Sequence, residues 1–214
     1  MLNLHGRAAV GRVLDPLGAR LARAGLNPDV ITVVGTLGVT ASAVTLLATG
    51  RFLLGFVLTA LFVLSDLFDG LVARHRGTSS VWGAFLDSSL DRVSDAAVFG
   101  SLAYFWFTRG GSPLIGAVAL FCLVAGAVTS YVKARAEGLG LSADVGIAER
   151  AERLILVGVA VLGQGLTGLT WWGPLVLWVL AVASGVTVVQ RFVEVRRQSL
   201  LPAGPAARPD RAAA

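Results

Sequence analysis

The sequence predicts an all-α integral membrane protein with six transmembrane helices and an N-terminal amphipathic juxtamembrane helix. Three observations lead to this prediction. Mean hydropathy is +0.76, and only 14% of the 214 residues are charged, whereas soluble domains carry about 25%. Long charge-free runs recur along the chain, and basic residues gather between alternate runs. The composition therefore excludes an ordinary soluble domain.

The first two spans are predicted from residues 30–72. A spanning helix needs about 20 apolar residues, and the run at 30–50 supplies 21 without a charge. The apolar run at 52–65 is too short to span alone. The second span must therefore continue through Asp66 and Asp69 to about residue 72, which places both carboxylates inside the helix.

The remaining four spans follow from the later runs. The third is predicted at 81–108, with acidic residues in its first half, and the fourth is the 23-residue charge-free run at 110–132. The 37 charge-free residues at 154–190 would make one helix about 55 Å long against a bilayer core of about 30 Å. This run must break, and GQGLTGLTWWGP at 163–174 is the predicted position.

The basic residues predict the orientation of these spans. With six spans, only Arg51 and Arg109 among the loop arginines fall on one face of the membrane. The other face receives Arg7, Arg12, Arg20, Arg23, Arg74, Arg76, Lys133, Arg135, Arg150, Arg153, Arg191, Arg196 and Arg197. The positive-inside rule makes this second face cytoplasmic. We expect a multi-pass protein of the cell (plasma) membrane with both termini in the cytoplasm.

The chain divides into three predicted parts. Residues 1–26 place apolar side chains among four arginines at helical spacing, without the long apolar run of a signal peptide, and are predicted to be a cytoplasmic interfacial helix. Residues 27–195 form the six-span domain. Residues 196–214, rich in Pro and Ala, are predicted to be a disordered cytoplasmic tail. The single cysteine, Cys122, is interpreted as a packing residue.

Four aspartates at the predicted cytoplasmic ends of spans two and three form the candidate site. Asp66 and Asp69 are three residues apart, and Asp87 and Asp91 are four apart, so each pair lies along one helical face. Carboxylates near a bilayer interior are costly unless they are paired or solvated. All-oxygen ligands favour Mg²⁺ first, then Mn²⁺ or Ca²⁺, and two ions could share the site. The simpler alternative is a loop with ordinary carboxylates at helix ends.

Beyond these aspartates, the spacing of eight residues resembles a known family. The order is Asp66, two residues, Asp69-Gly70, two residues, Ala73-Arg74, eight residues, Gly83, three residues, Asp87, three residues, Asp91. This is similar to the complete signature of the CDP-alcohol phosphotransferases. The resemblance extends from about residue 5 to residue 195.

The resemblance implies an integral-membrane enzyme that displaces CMP from CDP-diacylglycerol with the hydroxyl of a second alcohol. It implies that Asp66, Asp69, Asp87 and Asp91 hold two Mg²⁺ or Mn²⁺ ions at the diphosphate, and that Asp91 is also the general base. The residues implied to surround CDP-diacylglycerol are Gly70, Ala73, Arg74 and Gly83, with Asp29, Val30, Ile31 and Thr32 of the NPDVIT segment, and Ser80. The family also implies a homodimer.

The acceptor alcohol is predicted from basic segments further along the chain. Residues 130–140, 146–154 and 189–192 resemble those of actinobacterial phosphatidylinositol phosphate synthases, whose acceptor is inositol 1-phosphate. This implies an acceptor-phosphate pocket formed by Ser130, Lys133, Arg135, Arg153 and Arg191. The alternative is phosphatidylglycerophosphate synthesis from glycerol 3-phosphate, since that acceptor also carries a phosphate.

A divalent-cation transporter is the alternative from another class, because intramembrane carboxylates often line ion pathways. It would distribute acidic residues across the membrane depth, whereas these gather near one face. The basic excess, a net charge of +5, suits anionic lipid headgroups. We therefore expect membrane lipid, and not nucleic acid, as the partner of these residues.

Overall fold

The computed structural model describes residues 27–76 and 80–200, and the side chains of residues 65–71 and 73–76 lie outside that description. The described residues form six long helices and their connections, without a strand. The helices are α1 (Pro28–Ser42, continued by a π-helical segment, Ala43–Leu47), α2 (Phe52–Arg76), α3 (Val81–Thr108), α4 (Pro113–Glu137), α5 (Arg150–Thr167) and α6 (Trp172–Ser199). The predicted interfacial helix within 1–26 falls outside the described residues.

Each predicted span coincides with one of these helices. Helix α3 has the predicted bounds, and α5 ends at Thr167 before α6 begins at Trp172, which confirms the break at 163–174. Gly168 ends α5 because it adopts a left-handed φ of 69° and its N–H donates to the carbonyl of Gln164. The all-helical fold class is therefore confirmed.

One boundary differs from the prediction. Helix α6 continues to Ser199, so residues 196–199 belong to the helix and not to a disordered tail. The last turn is held by Arg197, whose guanidinium donates to both carboxylate oxygens of Glu194 at 3.0 and 2.8 Å. Basic residues are also favourable at a helix C-terminus.

Among the described residues, three helical segments are long and apolar enough to cross a membrane, judged by length and composition alone. They are Pro28–Leu47, Pro113–Glu137 and Trp172–Ser199. Helix α2 has a shorter apolar part, Phe52–Leu64. The position of the charges explains the difference: in α4 and α6 they lie near the C-terminal end and leave a long apolar stretch, whereas in α3 and α5 they leave no uninterrupted stretch of that length. Six crossings remain a prediction.

The helices form one bundle, in which helices pack both against their neighbours in the chain and against helices further along it. Helix α1 packs against α2 and α3, α3 against α4, α4 against α6, and α5 against α2 and α6. Leu47, Phe99, Cys122 and Leu180 are almost fully buried in the shared core. Cys122 is a free, buried thiol, which confirms its interpretation as a packing residue. The outer surface exposes many large apolar side chains, as expected of a bundle that meets lipid.

Candidate active site

The N-terminal ends of α1 and α3 meet at one end of the bundle, which we call the aspartate end. Helix α1 begins after Asn27, whose side-chain oxygen accepts from the N–H of Asp29 at 3.0 Å, and α3 begins after Ser80, whose hydroxyl accepts from the N–H of Gly83 at 2.9 Å. A β-carbon at Gly83 would lie 3.8 Å from Oδ1 of Asp29. The structure thus brings together Asp29, Ser80 and Gly83, three residues of the predicted CDP-diacylglycerol site.

The rest of the NPDVIT segment forms the first turn of α1. Val30 is exposed, Ile31 is half-buried and Thr32 is buried. The hydroxyl of Thr32 donates to the carbonyl of Pro28 at 3.1 Å. This turn therefore offers side chains both to the bundle and to its surface.

Asp87 and Asp91 are half-buried, one turn apart on α3. Oδ1 of Asp91 lies 2.6 Å from Nη1 of Arg150, at the start of α5, and Oδ2 lies 3.6 Å from Nη2 of Arg92. The proposed general base is thus already placed between two guanidinium groups.

Asp95, one turn further along α3, is the most deeply buried carboxylate described in this region, with 5% of its surface exposed. Its Oδ2 accepts from Nη2 of Arg153 at 3.2 Å, and its Oδ1 lies 3.5 Å from Nε of Arg150. Arg153 is 2% exposed, and its Nη1 lies 3.5 Å from the carbonyl of Ala148. Asp95 therefore links the middle of α3 to the first turn of α5.

Helix α2 carries the other predicted residues: Asp66, Asp69, Gly70, Ala73 and Arg74. Their backbone is helical, so Asp66 and Asp69, three residues apart, share one helical face as predicted. Their side chains lie outside the description. That the two aspartate pairs face each other therefore stays a prediction.

The predicted acceptor residues lie on α4, α5 and α6. On α4, the hydroxyl of Ser130 donates to the carbonyl of Gly126 at 3.1 Å, and Arg135 is exposed near the helix end. Lys133 forms an ion pair with Asp144. The hydrogen bond and charge of Lys133 lower the pKa of Asp144, so this carboxylate is ionised at neutral pH.

Arg191, on α6, is buried and bound to backbone. Its Nη1 donates to the carbonyl of Thr129 at 2.8 Å, and its Nε donates to the carbonyl of Val145 at 2.9 Å. It thereby joins α4, α6 and the connection between α4 and α5. Its predicted contact with the acceptor phosphate would have to use the guanidinium N–H groups that do not take part in these two bonds.

The connection between α4 and α5, residues 138–149, is held against α6 at two further points. The hydroxyl of Thr187 accepts from the N–H groups of Ile147 and Ala148 at 3.2 and 3.0 Å. The side-chain amide of Gln198 pairs with the backbone N–H and carbonyl of Ser142 at 2.9 and 2.7 Å. Side chains of α6 thus fix the segment that leads into Arg150 and Arg153.

Asp95 lies outside the family signature, and the sequence predicts Arg150 only as one of the basic residues that suit a phosphorylated acceptor. The available signal was spacing, because Asp87, Asp91 and Asp95 recur every four residues and share one face of α3. The partner of Asp95 was not readable, since Arg153 is 58 residues away.

The aspartate end suits divalent cations by its chemistry. Among the described side chains, which leave out those of Asp66 and Asp69, no group of three possible metal ligands occurs. The oxygens of Asp87 and Asp91 are hard ligands of the kind that Mg²⁺ and Mn²⁺ prefer. Oδ1 of Asp91 already lies 2.6 Å from a cationic group, the guanidinium of Arg150. The residues present therefore fit such ions.

A helical bundle with lipid-facing apolar surfaces and a charged, partly buried site at one end defines an integral membrane protein with the features of an enzyme. The family profile described as CDP-alcohol phosphatidyltransferase matches residues 26–190. The chain belongs to this family, and is therefore a CDP-alcohol phosphotransferase. This result supports the enzyme interpretation over the cation transporter.

Three similar proteins share one name. Phosphatidylinositol phosphate synthase of Streptomyces avermitilis is 46% identical over 208 residues, covering 93% of this chain and 84% of the relative. The enzymes of that name from Cutibacterium acnes and Mycobacteroides abscessus are 44% and 42% identical, covering 90% and 92% of this chain and 97% and 89% of the relatives.

Solved structures agree with the fold. A crystal structure of Mycobacterium tuberculosis phosphatidylinositol phosphate synthase with CDP-DAG bound has a TM-score of 0.83 and 38% identity, covering 95% of this chain and all of that one. The same enzyme in complex with manganese and citrate has a TM-score of 0.81 and 39% identity, covering 92% of each chain.

Proposed function

We propose that this protein transfers the phosphatidyl group of CDP-diacylglycerol to the hydroxyl of inositol 1-phosphate, giving phosphatidylinositol phosphate and CMP. The observation that carries the proposal is the complete eight-residue signature at 66–91, which falls on α2 and α3 of a family member. The relatives named above, at 42–46% identity, support the choice of acceptor.

The donor would bind where α1 and α3 begin. Asp29, Ser80 and Gly83 are adjacent there, and glycine at position 83 keeps the start of α3 free of a side chain. We assign Val30, Ile31, Thr32, Gly70, Ala73 and Arg74 to the same CDP-diacylglycerol site. The acyl chains would remain beside the apolar helix surfaces.

Asp66, Asp69, Asp87 and Asp91 would hold two Mg²⁺ ions, with Mn²⁺ as the alternative. A relative's complex with manganese supports a divalent cation. When bound, such ions neutralise a diphosphate and its leaving group.

In the proposed reaction, the acceptor hydroxyl attacks the lipid-side phosphorus. Its proton passes to Asp91, and the bond from that phosphorus to the CMP oxygen breaks, so CMP leaves with the electron pair. Nη1 of Arg150 lies 2.6 Å from Oδ1 of Asp91, so this contact orients the carboxylate that would accept the proton.

The acceptor phosphate would bind Ser130, Lys133, Arg135, Arg153 and Arg191. Arginine suits this task because its planar donors match phosphate oxygens. Asp95 and the carbonyl of Ala148 orient the guanidinium of Arg153. The position of these residues around the α4–α5 connection supports a pocket beside Asp91.

The test is an acceptor assay on the purified full chain in lipid nanodiscs, with CDP-diacylglycerol and Mg²⁺. Inositol 1-phosphate, free inositol, glycerol 3-phosphate and serine are supplied separately, and lipid product and CMP are measured. We expect turnover with inositol 1-phosphate. Phosphatidylglycerophosphate as the only product would overturn the acceptor assignment and leave the family chemistry intact.

We also propose that the protein lies in the plasma membrane as a homodimer, with its aspartate end and both termini in the cytoplasm. The distribution of basic residues supports the orientation. Labelling of single introduced cysteines by a membrane-impermeant reagent in intact cells tests it, and light scattering of the detergent-purified protein tests the dimer.

A further inference from the structure

The opposite end of the bundle, which we call the far end, has a different character. It consists of the α1–α2 turn, the C-terminal end of α3 and the α5–α6 turn. Arg109, which caps α3, follows Asp91 by 18 residues, or about 27 Å along a helix axis. The far end is therefore separated from the proposed reaction site by most of a bilayer core.

The far end is basic without a compensating acid. Residues 43–64, 98–116 and 160–180 contain Arg51 and Arg109 as their only charged residues. Both arginines are exposed, and within the described part of the chain neither forms an ion pair. An anion at this end would therefore meet no repelling carboxylate.

Both arginines line one open cavity of about 680 Å³ between these elements. Thr49 and Thr170 contribute polar groups, while Leu53 and Leu54 contribute apolar surface. Its volume falls within the range of about 300–1,000 Å³ of ligand sites. A close helix contact defines the wall, because a β-carbon at Gly165 would lie only 2.6 Å from the backbone nitrogen of Leu53.

Gln164 also lines this cavity and adds a polar side chain to it. It is only 7% exposed, and its side-chain amide makes no hydrogen bond to any described residue. Buried amides are normally hydrogen-bonded. Its Oε1 lies beside Gly173, where a β-carbon would be 3.2 Å away, and the amide is available to a polar group in the cavity.

The position of Arg51 adds a second argument for an anion. It directly precedes α2, where the helix dipole disfavours a positive charge and favours a negative one. The residues that supply the first N–H groups of α2, including Leu53 and Leu54, line the same cavity. A bound anion would offset the charge of Arg51 and is favoured by the dipole at the start of α2.

We propose that the far-end cavity binds the phosphate group of an anionic phospholipid from the adjoining leaflet. Arg51 and Arg109 pair with the phosphate oxygens, and Gln164 hydrogen-bonds the headgroup. A lipid fits better than free phosphate because Leu53 and Leu54 are 44% and 50% exposed and offer apolar surface for acyl chains beside the polar groups.

The test is native mass spectrometry of the full-length protein released from nanodiscs of phosphatidylglycerol and phosphatidylcholine. Two variants are compared with the wild type: the double variant Arg51→Gln with Arg109→Gln, and Gln164→Leu, which changes no charge. The control is the double variant Arg196→Gln with Arg197→Gln, which removes the same charge at the end of α6. We expect retention of phosphatidylglycerol by the wild type and the control, and affinity at least about tenfold weaker in both far-end variants.

Equal retention of the two lipids by the wild type would overturn the proposal. Undiminished binding of phosphatidylglycerol by the Gln164→Leu variant would also overturn it, because nonspecific attraction of the lipid to the arginines does not require the amide. Displacement of the lipid by millimolar inorganic phosphate would overturn the choice of a lipid as occupant. Unchanged CMP release in the far-end double variant would support a site separate from catalysis.

Discussion

Nη2 of Arg153 lies 3.2 Å from Oδ2 of Asp95, and the two residues are 2% and 5% exposed. This buried ion pair joins α3 to α5 beside the proposed general base. Removal of one partner from a buried pair leaves an uncompensated charge and typically costs about 3–5 kcal/mol.

Asp95→Asn should therefore lower the thermal unfolding midpoint in detergent, with a loss of about 3 kcal/mol in the free energy of unfolding. Asp144→Asn, at an exposed pair with Lys133, is the control and should cost less than about 1 kcal/mol. The Asp95→Asn, Arg153→Gln double variant should lose less than the sum of the single variants. Equal midpoints for Asp95→Asn and the wild type would show that the pair does not stabilise the bundle.

Asp91→Asn should nearly abolish turnover. Loss of a general base alone costs about 10²- to 10⁴-fold, and this variant would also weaken a proposed metal ligand. CMP release is the measurement, with Glu194→Gln near the end of α6 as a control of the same chemical change. Wild-type activity in a folded Asp91→Asn protein would refute the base assignment.

Arg150→Gln should strengthen divalent-cation binding. The guanidinium lies 2.6 Å from Oδ1 of Asp91, so it competes with a cation for this oxygen. Removal of a unit charge about 4 Å from a divalent ion relieves about 2 kcal/mol of repulsion in a water-like medium and should raise metal affinity about thirtyfold. Titration of Mg²⁺ or Mn²⁺ by calorimetry checks this, with Arg196→Gln as the charge-matched control. Weaker metal binding in Arg150→Gln would mean that Arg150 supports the site and does not compete with the cation.

Arg153→Ala should raise the KM for inositol 1-phosphate more than the KM for CDP-diacylglycerol. The reason is the proposed contact between this guanidinium and the acceptor phosphate. Arg153→Lys retains a charge beside Asp95 but loses the planar donor pair, and should change the same KM to a smaller extent. A larger effect on the KM for CDP-diacylglycerol would remove Arg153 from the acceptor pocket.

Thr187→Val should loosen the connection between α4 and α5. Its hydroxyl accepts from two backbone N–H groups of that segment, and leaving them unpaired costs about 1–3 kcal/mol. Hydrogen exchange of residues 138–149 should become faster. Thr45→Val is the control, because that exposed hydroxyl only donates within its own helix. Unchanged exchange in this segment would show that Arg191 and Gln198 suffice to hold it.

The sequence by itself determined the helices and the spacing of the signature. Hydropathy runs predicted six helical segments, because helix length and periodicity depend on residues near one another in the chain. The same local rule placed Asp87 and Asp91 on one face of α3. It also predicted the break before α6, where Gly168 ends α5.

Only the tertiary structure decided which charges meet. Asp95 and Arg153 are 58 residues apart, and Arg191 reaches the carbonyl of Thr129 across 62. The periodicity of the sequence does not predict such pairs. The positive-inside rule predicts arginines on the cytoplasmic side but does not assign them partners. A buried charge is stable only beside a compensating group, and that neighbour is set by how the helices pack.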